Sequence, residues 1–399
     1  MRDGWRAETL GSIATIEMGQ SPPGSSYNAS GDGLPFLQGS AEFGERYPKA
    51  VRWCSEPRKV AQPGDILLSV RAPVGDQNRA DRVLAVGRGL AIIRSASPEV
   101  LTDYLAVALQ EAAPEMRQRS GGTMFESING RSLASQRVPV PLLAEQRRIV
   151  DLIQRTEDAE AVAEVEHTAA VEALNALRED LITRHGAREC TLREVLEDID
   201  GGVSPVTEGR VPVDSERAVL KLSAVRPGRF VPAEAKAVAP SVVLPERALV
   251  RVGDVLITRS NTPETVGFVC YVDAVRPHTY LSDLTLRLDP IPGLDRRYLA
   301  QVLNTGDARK QIMGSATGTS GSMRKISRRT IRDIRVPIPA SLMEQVRIAD
   351  ALESASDLVD AARNCVLRLA ALRSALLAAL LSGDHEIPAS YDRFLDGAA

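Results

Sequence analysis

The chain has 399 residues, of which 44% are hydrophobic and 25% charged, with a net charge of −3. This length exceeds one ordinary core, and the composition is that of a soluble globular protein. Charges interrupt the longest apolar stretches before they reach the roughly 20 residues of a membrane span, and the first residues form no export signal. The four cysteines lie far apart with no CxxC pair, which favours reduced structural thiols and a cytoplasmic location.

Residues 1–143 are predicted to form a first domain that mixes strands and helices. The apolar runs at 65–70 and 89–94 are typical of strands, and 101–110 is typical of a helix. Many Gly and Pro residues separate these segments and indicate turns. We therefore expect an α+β domain with a twisted, mostly antiparallel sheet.

A long helix is predicted over 144–186, because no Pro or Gly interrupts the chain between a Val-Pro-Val-Pro segment and Gly186. This segment is acidic, with ten acids against five arginines. Apolar residues at steps of three and four predict a heptad seam, with one extra step of four near Ala170 and a polar intruder at Glu166. Its predicted members are Ile149, Leu152, Thr156, Ala159, Ala163, Glu166, Ala170, Leu174, Leu177 and Leu181.

The same order of features recurs in a second domain over 187–342 and a second helix over 343–383. RVPVPLLAEQRRI in the first copy corresponds to RVPIPASLMEQVRI in the second, and four further landmarks recur in the same order. Collinear landmarks indicate two copies of one fold with loop insertions. The tail, 384–399, lies outside the repeat. The second seam is predicted at Ile348, Ala351, Ala355, Leu358, Ala362, Cys365, Leu369, Leu372, Leu376 and Ala379.

The two helices, each about 60 Å long at 1.5 Å per residue, are expected to pack on each other. A partner within the same chain is at high effective concentration, which favours this pairing over dimerisation with a second molecule. The predicted fold class is therefore α+β, with two tandem domains separated by two long helices that form an antiparallel coiled coil.

Charge is unevenly distributed, with eight bases against two acids over residues 305–335. Ser/Gly/Thr runs at 120–132 and 317–329 precede basic segments, and hydroxyls, free N–H groups and arginines are suited to phosphates. A flexible glycine loop would give the same pattern. The candidate phosphate-contacting residues are Ser120, Thr123, Arg131, Thr319, Ser320, Lys325, Arg328 and Arg329.

Other candidates lie where the two copies differ. Their amide, guanidinium, ammonium and hydroxyl groups are suited to the edges of bases, although any single one is more often an ordinary surface residue. These candidates are Gln20, Ser21, Gln38, Arg71, Arg88, Lys221, Arg259 and Asn261.

Sequence signatures of catalysis are missing. The chain contains no Walker A, GxSxG, HExxH or GxGxxG motif and no Cys/His cluster. The run 314–325 resembles a phosphate loop but lacks the final Gly-Lys-(Ser/Thr). We therefore predict a binding protein, not an enzyme, with no catalytic, metal or cofactor-binding residues.

With its duplicated Val-Pro-x-Pro and Glu-Gln-x-x-Ile junctions and long helices, the chain resembles the specificity subunit of type I restriction-modification systems over residues 5–383. WRAETLGSIATIEMGQSP resembles the start of a target recognition domain, and GTSGSMRKIS followed by VPIP resembles its end. The resemblance implies two target recognition domains, 1–143 and 187–342, that read the halves of a bipartite asymmetric DNA sequence. The spacer helices would be 144–186, the central conserved region, and 343–383, the C-terminal conserved region.

The resemblance also implies partners. These are double-stranded DNA, two methyltransferase subunits that bring S-adenosylmethionine, and two restriction subunits that use ATP and Mg²⁺ for translocation and cleavage. This chain itself would hold no cofactor. Two alternatives stay open: a specificity subunit of a related methylation-based defence system with another nuclease arrangement, and a coiled-coil scaffold without DNA contact.

Overall fold

The computed structural model describes residues 4–120, 127–184, 187–318 and 323–395. It contains two compact units. Unit 1 comprises Met1–Ala163 with Cys365–Ala399, and unit 2 comprises Glu164–Asn364. The boundary between the units falls within both long helices, so each unit joins one sheet domain to part of each helix.

Unit 1 is built on two larger sheets and one small one. Its strands are β1 (Arg6–Thr9), β2 (Ala14–Met18), β3 (Tyr27–Asn28), β4 (Leu34–Leu37), β5 (Arg52–Cys54), β6 (Val60–Ala61), β7 (Ile66–Ser69), β8 (Gln77–Arg79), β9 (Leu84–Val86), β10 (Leu90–Ser95) and β11 (Arg137–Val140). Its helices are α1 (Leu10–Ile13), α2 (Thr102–Ser120), α3 (Gly130–Ala134) and the first part of α4 (Leu143–Arg184).

The strands of unit 1 form an antiparallel sheet in the order β2-β10-β7-β8, a five-stranded sheet in the order β3-β5-β4-β9-β6, and the pair β1-β11. Among the strand pairs in the described part of unit 1, only β4–β9 is parallel. The central strands β7 and β10 are buried because their apolar side chains face a core on each side: Ile66 and Ile93 contribute to one, and Leu67 and Ile92 to the other.

Unit 2 repeats this plan. Its strands are β12 (Arg188–Thr191), β13 (Leu196–Gly201), β14 (Ala218–Leu220), β15 (Val225–Arg226), β16 (Arg229–Phe230), β17 (Ala235–Ala237), β18 (Val255–Thr258), β19 (Ser260–Asn261), β20 (Val269–Tyr271), β21 (Thr279–Tyr280), β22 (Thr285–Pro290), β23 (Arg324–Lys325) and β24 (Arg335–Ile338). Its helices are α5 (Leu192–Val195), α6 (Arg296–Val302), α7 (Gly306–Ser315), α8 (Arg328–Arg332) and the first part of α9 (Leu342–Ser382).

The main sheet of unit 2 has the order β13-β22-β18-β20, which matches β2-β10-β7-β8 strand for strand. The pair β12-β24 corresponds to β1-β11, and the parallel pair β14–β21 corresponds to β4–β9. The duplication predicted from the sequence is therefore a duplication of topology.

The repeated sequence landmarks join a helix of each unit, α2 or α6, to the strand that precedes its long helix. The hydroxyl of Tyr104 donates to the Pro139 carbonyl at 2.6 Å, and that of Tyr298 donates to the Pro337 carbonyl at 2.8 Å. Both tyrosine rings are fully buried. The Val-Pro-x-Pro segments thus provide carbonyl acceptors at the two matched junctions.

The repeated Glu-Gln pair is explained by its glutamine. Gln146 and Gln345 are both buried, and each donates to the carbonyl of a junction proline at 2.9 Å. Their side-chain oxygens accept from backbone N–H groups of Leu101 and Asp295, at 2.9 and 2.7 Å. A buried amide that is satisfied on both sides fixes the start of each long helix.

Within each unit the two long helices run antiparallel. In unit 1 the start of α4 shares a core with the end of α9, through Ile149, Ile153, Leu377 and Leu380. In unit 2 the end of α4, at Ile182, shares a core with the start of α9. This arrangement confirms the predicted antiparallel coiled coil and, with the mixed sheets, the α+β fold class.

The predicted seam on α9 is wrong at four of its ten positions, Ala351, Leu358, Cys365 and Leu372, and the other six are buried or half-buried. Leu358 is 69% exposed, Leu372 is 48% exposed, and Cys365 is also exposed. In place of these four, the buried or half-buried positions lie one residue further along, at Leu352, Val359, Val366 and Arg373. Alanine and leucine side chains lie on all sides of this helix, so more than one set of residues at steps of three and four is apolar.

Part of the predicted seam on α4 is also wrong, because Ala159 and Glu166 are exposed. The half-buried neighbour Glu160 pairs with Arg373 of α9 at 2.8 Å. An ion pair thus occupies a seam position that an apolar pattern passes over. By length and composition alone, α9 could cross a membrane, but a helix packed in a coiled coil has the same Ala- and Leu-rich composition.

Candidate nucleic-acid interface

In unit 1, separate chain segments meet at one end of the four-stranded sheet, around the loop that precedes β10. Gln20 follows β2, and its N–H donates to the last residue of β9 at 3.1 Å. The N–H of Gly89 donates to the Gln38 carbonyl at 3.1 Å. The Gly89 carbonyl accepts from the N–H of Val70, the residue before Arg71, at 3.0 Å. A Cβ on Gly89 would lie 2.5 Å from that Gln38 oxygen, so this approach requires glycine.

Three of the predicted side chains at this sheet end contact one another. Ser21 accepts hydrogen bonds from Nε of Arg88 at 2.9 Å and from Nε2 of Gln38 at 3.1 Å. Arg71 and Arg88 are exposed. We call the set Gln20, Ser21, Gln38, Arg71 and Arg88 the unit 1 rim.

Arg131 lies beside the unit 1 rim, on the short helix α3. The side chain of Asn129 caps this helix by accepting from the Ser132 N–H at 2.9 Å. A Cβ on Gly130 would lie 3.2 Å from Cγ of Met18, at the end of β2. Arg131 is exposed and is therefore presented close to the same sheet end.

The matched sheet end in unit 2 gathers residues from β19 and β23. The N–H of Arg259 donates to the Leu284 carbonyl at 2.7 Å, just before β22, and its carbonyl accepts from Ile326 at 2.9 Å. Strand β19 pairs with β23, which places Asn261 next to the strand that carries Lys325. Arg259 and Lys325 are both exposed.

Helix α8 adds two cations to this end. Ser327 caps the helix by accepting from the Thr330 N–H at 3.0 Å, and Arg328 and Arg329 follow it, both exposed. A Cβ on Gly201, at the end of β13, would lie 2.8 Å from the Arg328 guanidinium. We call Arg259, Asn261, Lys325, Arg328 and Arg329 the unit 2 rim.

Some predicted residues do not join a rim. Ser120 is 6% exposed, and its hydroxyl donates to the Arg117 carbonyl at 2.7 Å, so its side chain is not presented to a ligand. Thr123, Thr319 and Ser320 lie outside the described residues.

Lys221 is held by an intramolecular partner. It follows β14, and its ammonium lies 3.3 Å from the Glu234 carboxylate. Hydrogen bonds from Ser223 and Lys221 hold the pKa of Glu234 below its usual value. Lys221 is thus a partly neutralised cation.

The repeat reveals two residues that the sequence prediction missed. Ser204 and Asp283 occupy the positions in unit 2 that Ser21 and Arg88 occupy in unit 1, and both are exposed. The repeated Ser-Pro pair was the available signal. The alignment rests on matched backbone hydrogen bonds after β2 and β13, from Gln20 to Val86 and from Val203 to Leu281.

In each unit an ion pair with a buried carboxylate joins the central strands at the end opposite the rim. Asp65, just before β7, accepts two hydrogen bonds from Arg94 of β10, at 2.9 and 2.6 Å. Asp254, just before β18, pairs with Arg287 of β22 at 2.8 Å, and both side chains are less than a tenth exposed. Within the described residues no cluster of His, Cys, Asp or Glu is placed to hold a metal ion.

The rims lie within a chain whose first part matches a known family. Residues 2–172 match the type I restriction modification DNA specificity domain. Over these residues the chain is similar to that specificity domain. The family resemblance predicted from the repeat is thereby confirmed, and the unit 1 rim lies inside the matched range.

Curated relatives of the specificity domain agree. A type I restriction enzyme specificity subunit, MjaX, from Methanocaldococcus jannaschii is 44% identical over 156 residues, which cover 39% of this chain and 37% of that protein. The EcoEI specificity subunit from Escherichia coli is 26% identical over 166 residues, covering 41% of this chain and 28% of that protein. The matches thus span well under half of these relatives.

The crystal structure of a type I restriction-modification S subunit from M. genitalium is similar in fold along nearly the whole chain. The TM-score is 0.56 at 14% identity, covering 96% of this chain and 97% of the other. At that identity the similarity concerns the fold, and it includes the second copy, most of which lies beyond the family match.

Proposed function

We propose that this chain is the DNA-reading specificity subunit of a type I restriction-modification complex, and that it is not itself an enzyme. One observation carries the proposal. Both units bring polar and basic side chains from distant parts of the sequence to the same end of a matched sheet. A scaffold without DNA contact has no need of two such rims.

Each rim would read one half of a bipartite target. Exposed Lys325, Arg328 and Arg329 are suited to phosphates, which position a protein on a duplex, whereas Arg259 and Asn261 are suited to base edges. The unit 1 rim has different chemistry, because Arg88 and Gln38 both donate hydrogen bonds to the hydroxyl of Ser21. Two unlike rims support an asymmetric target.

The long helices would dock the partner subunits. Several apolar side chains on them face solvent: Val162 and Leu372 in unit 1, and Val165 and Leu358 in unit 2, are each 48 to 69% exposed. A partner that covered these side chains would remove their apolar surface from water, which favours association. We propose two methyltransferase subunits as the partners, and through them two restriction subunits. S-adenosylmethionine, ATP and Mg²⁺ would be held by these partners, in the cytoplasm.

The test is DNA binding and methylation by the purified chain, alone and with its co-expressed methyltransferase. The complex should methylate an asymmetric bipartite sequence that methylome sequencing identifies, and its binding should weaken steeply with salt. The chain alone should transfer no methyl group from S-adenosylmethionine. Methyl transfer by the chain alone would contradict the proposal. So would a complex whose DNA affinity does not change with salt concentration. A complex that methylates DNA without any restriction subunit in the host would favour the related defence system.

A further inference from the structure

The C-terminal tail, residues 384–395, is a structured part of unit 1. Ile387 is 4% exposed and belongs to the unit 1 core. Arg148 of α4 donates to both carboxylate oxygens of Asp392, at 2.6 and 2.7 Å. The hydroxyl of Tyr391 donates to Asp151 at 2.7 Å. The tail therefore covers the face of α4 formed by Arg148 and Asp151.

The internal repeat places the same two residue types at the start of α9. Aligning AEQRRI with MEQVRI matches Arg148 to Arg347 and Asp151 to Asp350. Each carboxylate accepts from an arginine, although from different elements: Asp151 accepts from Arg155 of the same helix at 2.6 Å, and Asp350 accepts from Arg297 of α6 at 2.7 Å. Each face thus combines one arginine with one arginine-supported carboxylate.

The two faces differ in what covers them. In unit 2 the chain continues from α4 directly into β12, so the repeat supplies no second tail. Arg347 is exposed, and within the described ranges it forms no ion pair. Asp350 is 59% exposed. The face on α9 is therefore open where the face on α4 is closed.

We propose that the face of α9 formed by Arg347 and Asp350 is a docking surface for a protein segment that presents a carboxylate beside an aromatic hydroxyl. The tail shows the chemistry that such a face binds: a carboxylate on the arginine and a hydroxyl on the aspartate. The occupant is a segment of one methyltransferase subunit, and in this respect the inference rests on the proposed function. Because the tail covers the matched face on α4, the two faces are not equally accessible to methyltransferase subunits.

A fluorescent peptide with the sequence of residues 384–395 tests this directly. Titrated against the full chain, it should bind saturably at one site. Arg347→Ala should weaken that binding about tenfold or more, because charge-assisted hydrogen bonds to an arginine are among the strong ones. Arg368→Ala is the control, since it removes an exposed arginine from the same helix. A peptide carrying Asp392→Asn should bind the unchanged chain weakly. Its affinity should equal that of the unchanged peptide for the Arg347→Ala chain.

A second variant opens the other face without removing Ile387 from the core. In a chain carrying Tyr391→Phe and Asp392→Asn, the peptide should occupy two sites, and Arg148→Ala should remove one of them. The methyltransferase should displace the peptide from the full chain. Absence of peptide binding, or equal binding by the Arg347 variant, overturns the docking surface.

Peptide binding that the methyltransferase does not displace overturns the proposed occupant. Each of these titrations is made without DNA. Failure of the inference is therefore distinguishable from failure of the proposed DNA-reading function.

Discussion

Arg88 donates a hydrogen bond from Nε to the hydroxyl of Ser21 at 2.9 Å, although 67 residues separate them in the chain. The amide of Gln38 donates to the same hydroxyl at 3.1 Å. One short side chain thus fixes the position of two longer ones at the rim of unit 1. Fixed side chains lose less conformational freedom when they bind, which favours both affinity and discrimination.

In unit 1 we predict that Arg88→Ala lowers discrimination at one half of the target by about 1 to 3 kcal/mol, because a bidentate contact to a base edge is lost. Discrimination at the other half should not change. Competition titrations with duplexes altered in one half at a time measure this. Arg82→Ala is the matched control, since Arg82 is an exposed arginine paired with its neighbour Asp81. An equal loss at both halves would contradict the assignment.

In unit 2 we predict that Lys325→Ala, Arg328→Ala and Arg329→Ala each weaken binding to all sequences. Each should also reduce the slope of log K against log salt by about one, because one phosphate contact is lost. Titrations of specific and scrambled duplexes at several salt concentrations give both quantities. An Arg328→Ala protein that lost specificity but kept its salt slope would show that the roles are reversed.

Substitution of Arg259 or Asn261 should have the opposite signature. We expect a loss of about 1 to 3 kcal/mol of discrimination at one half of the target, with non-specific binding little changed. Methylome sequencing of a host with the Asn261→Ala subunit would reveal a relaxed position within one half-site. A target that stays unchanged in both halves would remove these residues from the reading surface.

The buried pair Asp254–Arg287 should matter for stability rather than for recognition. Asp254→Ala removes the nearer carboxylate partner of the buried Arg287 and leaves only Asp200, 4.0 Å away, so it should lower the free energy of unfolding by about 3 kcal/mol. The exposed pair Arg193–Asp333, with both side chains 57% exposed, is the comparison, and Arg193→Ala should cost less than about 1 kcal/mol. Urea unfolding of both variants checks this; equal effects would contradict it.

The tail contact should depend on pH through Asp392. Its hydrogen bonds from Arg148 lower the pKa of this carboxyl from 3.8. A carboxyl whose pKa is lowered in the folded state stabilises that state above its unfolded pKa, and this contribution is lost as the pH falls through the lowered value. Hydrogen exchange of residues 387–394 should therefore stay protected from neutral pH down to about 4 and weaken below it. The Asp392→Asn protein should lack this step, and an identical profile would contradict the assignment.

The sequence alone determined the duplication, the central strands at 65–70 and 89–94, and the two long helices. Repeated landmarks and helical periodicity are local properties, and the junction prolines, tyrosines and glutamines play the same part in both copies. Only the tertiary structure decided which of two neighbouring positions of α9 is buried at four places in the seam, because alanine and leucine lie on every side of that helix and the Glu160–Arg373 pair occupies a position that an apolar pattern skips. The contact of Arg88 with Ser21 and that of Arg148 with Asp392 likewise join residues 67 and 244 apart, and pairings at such distances depend on how the chain packs rather than on any local pattern.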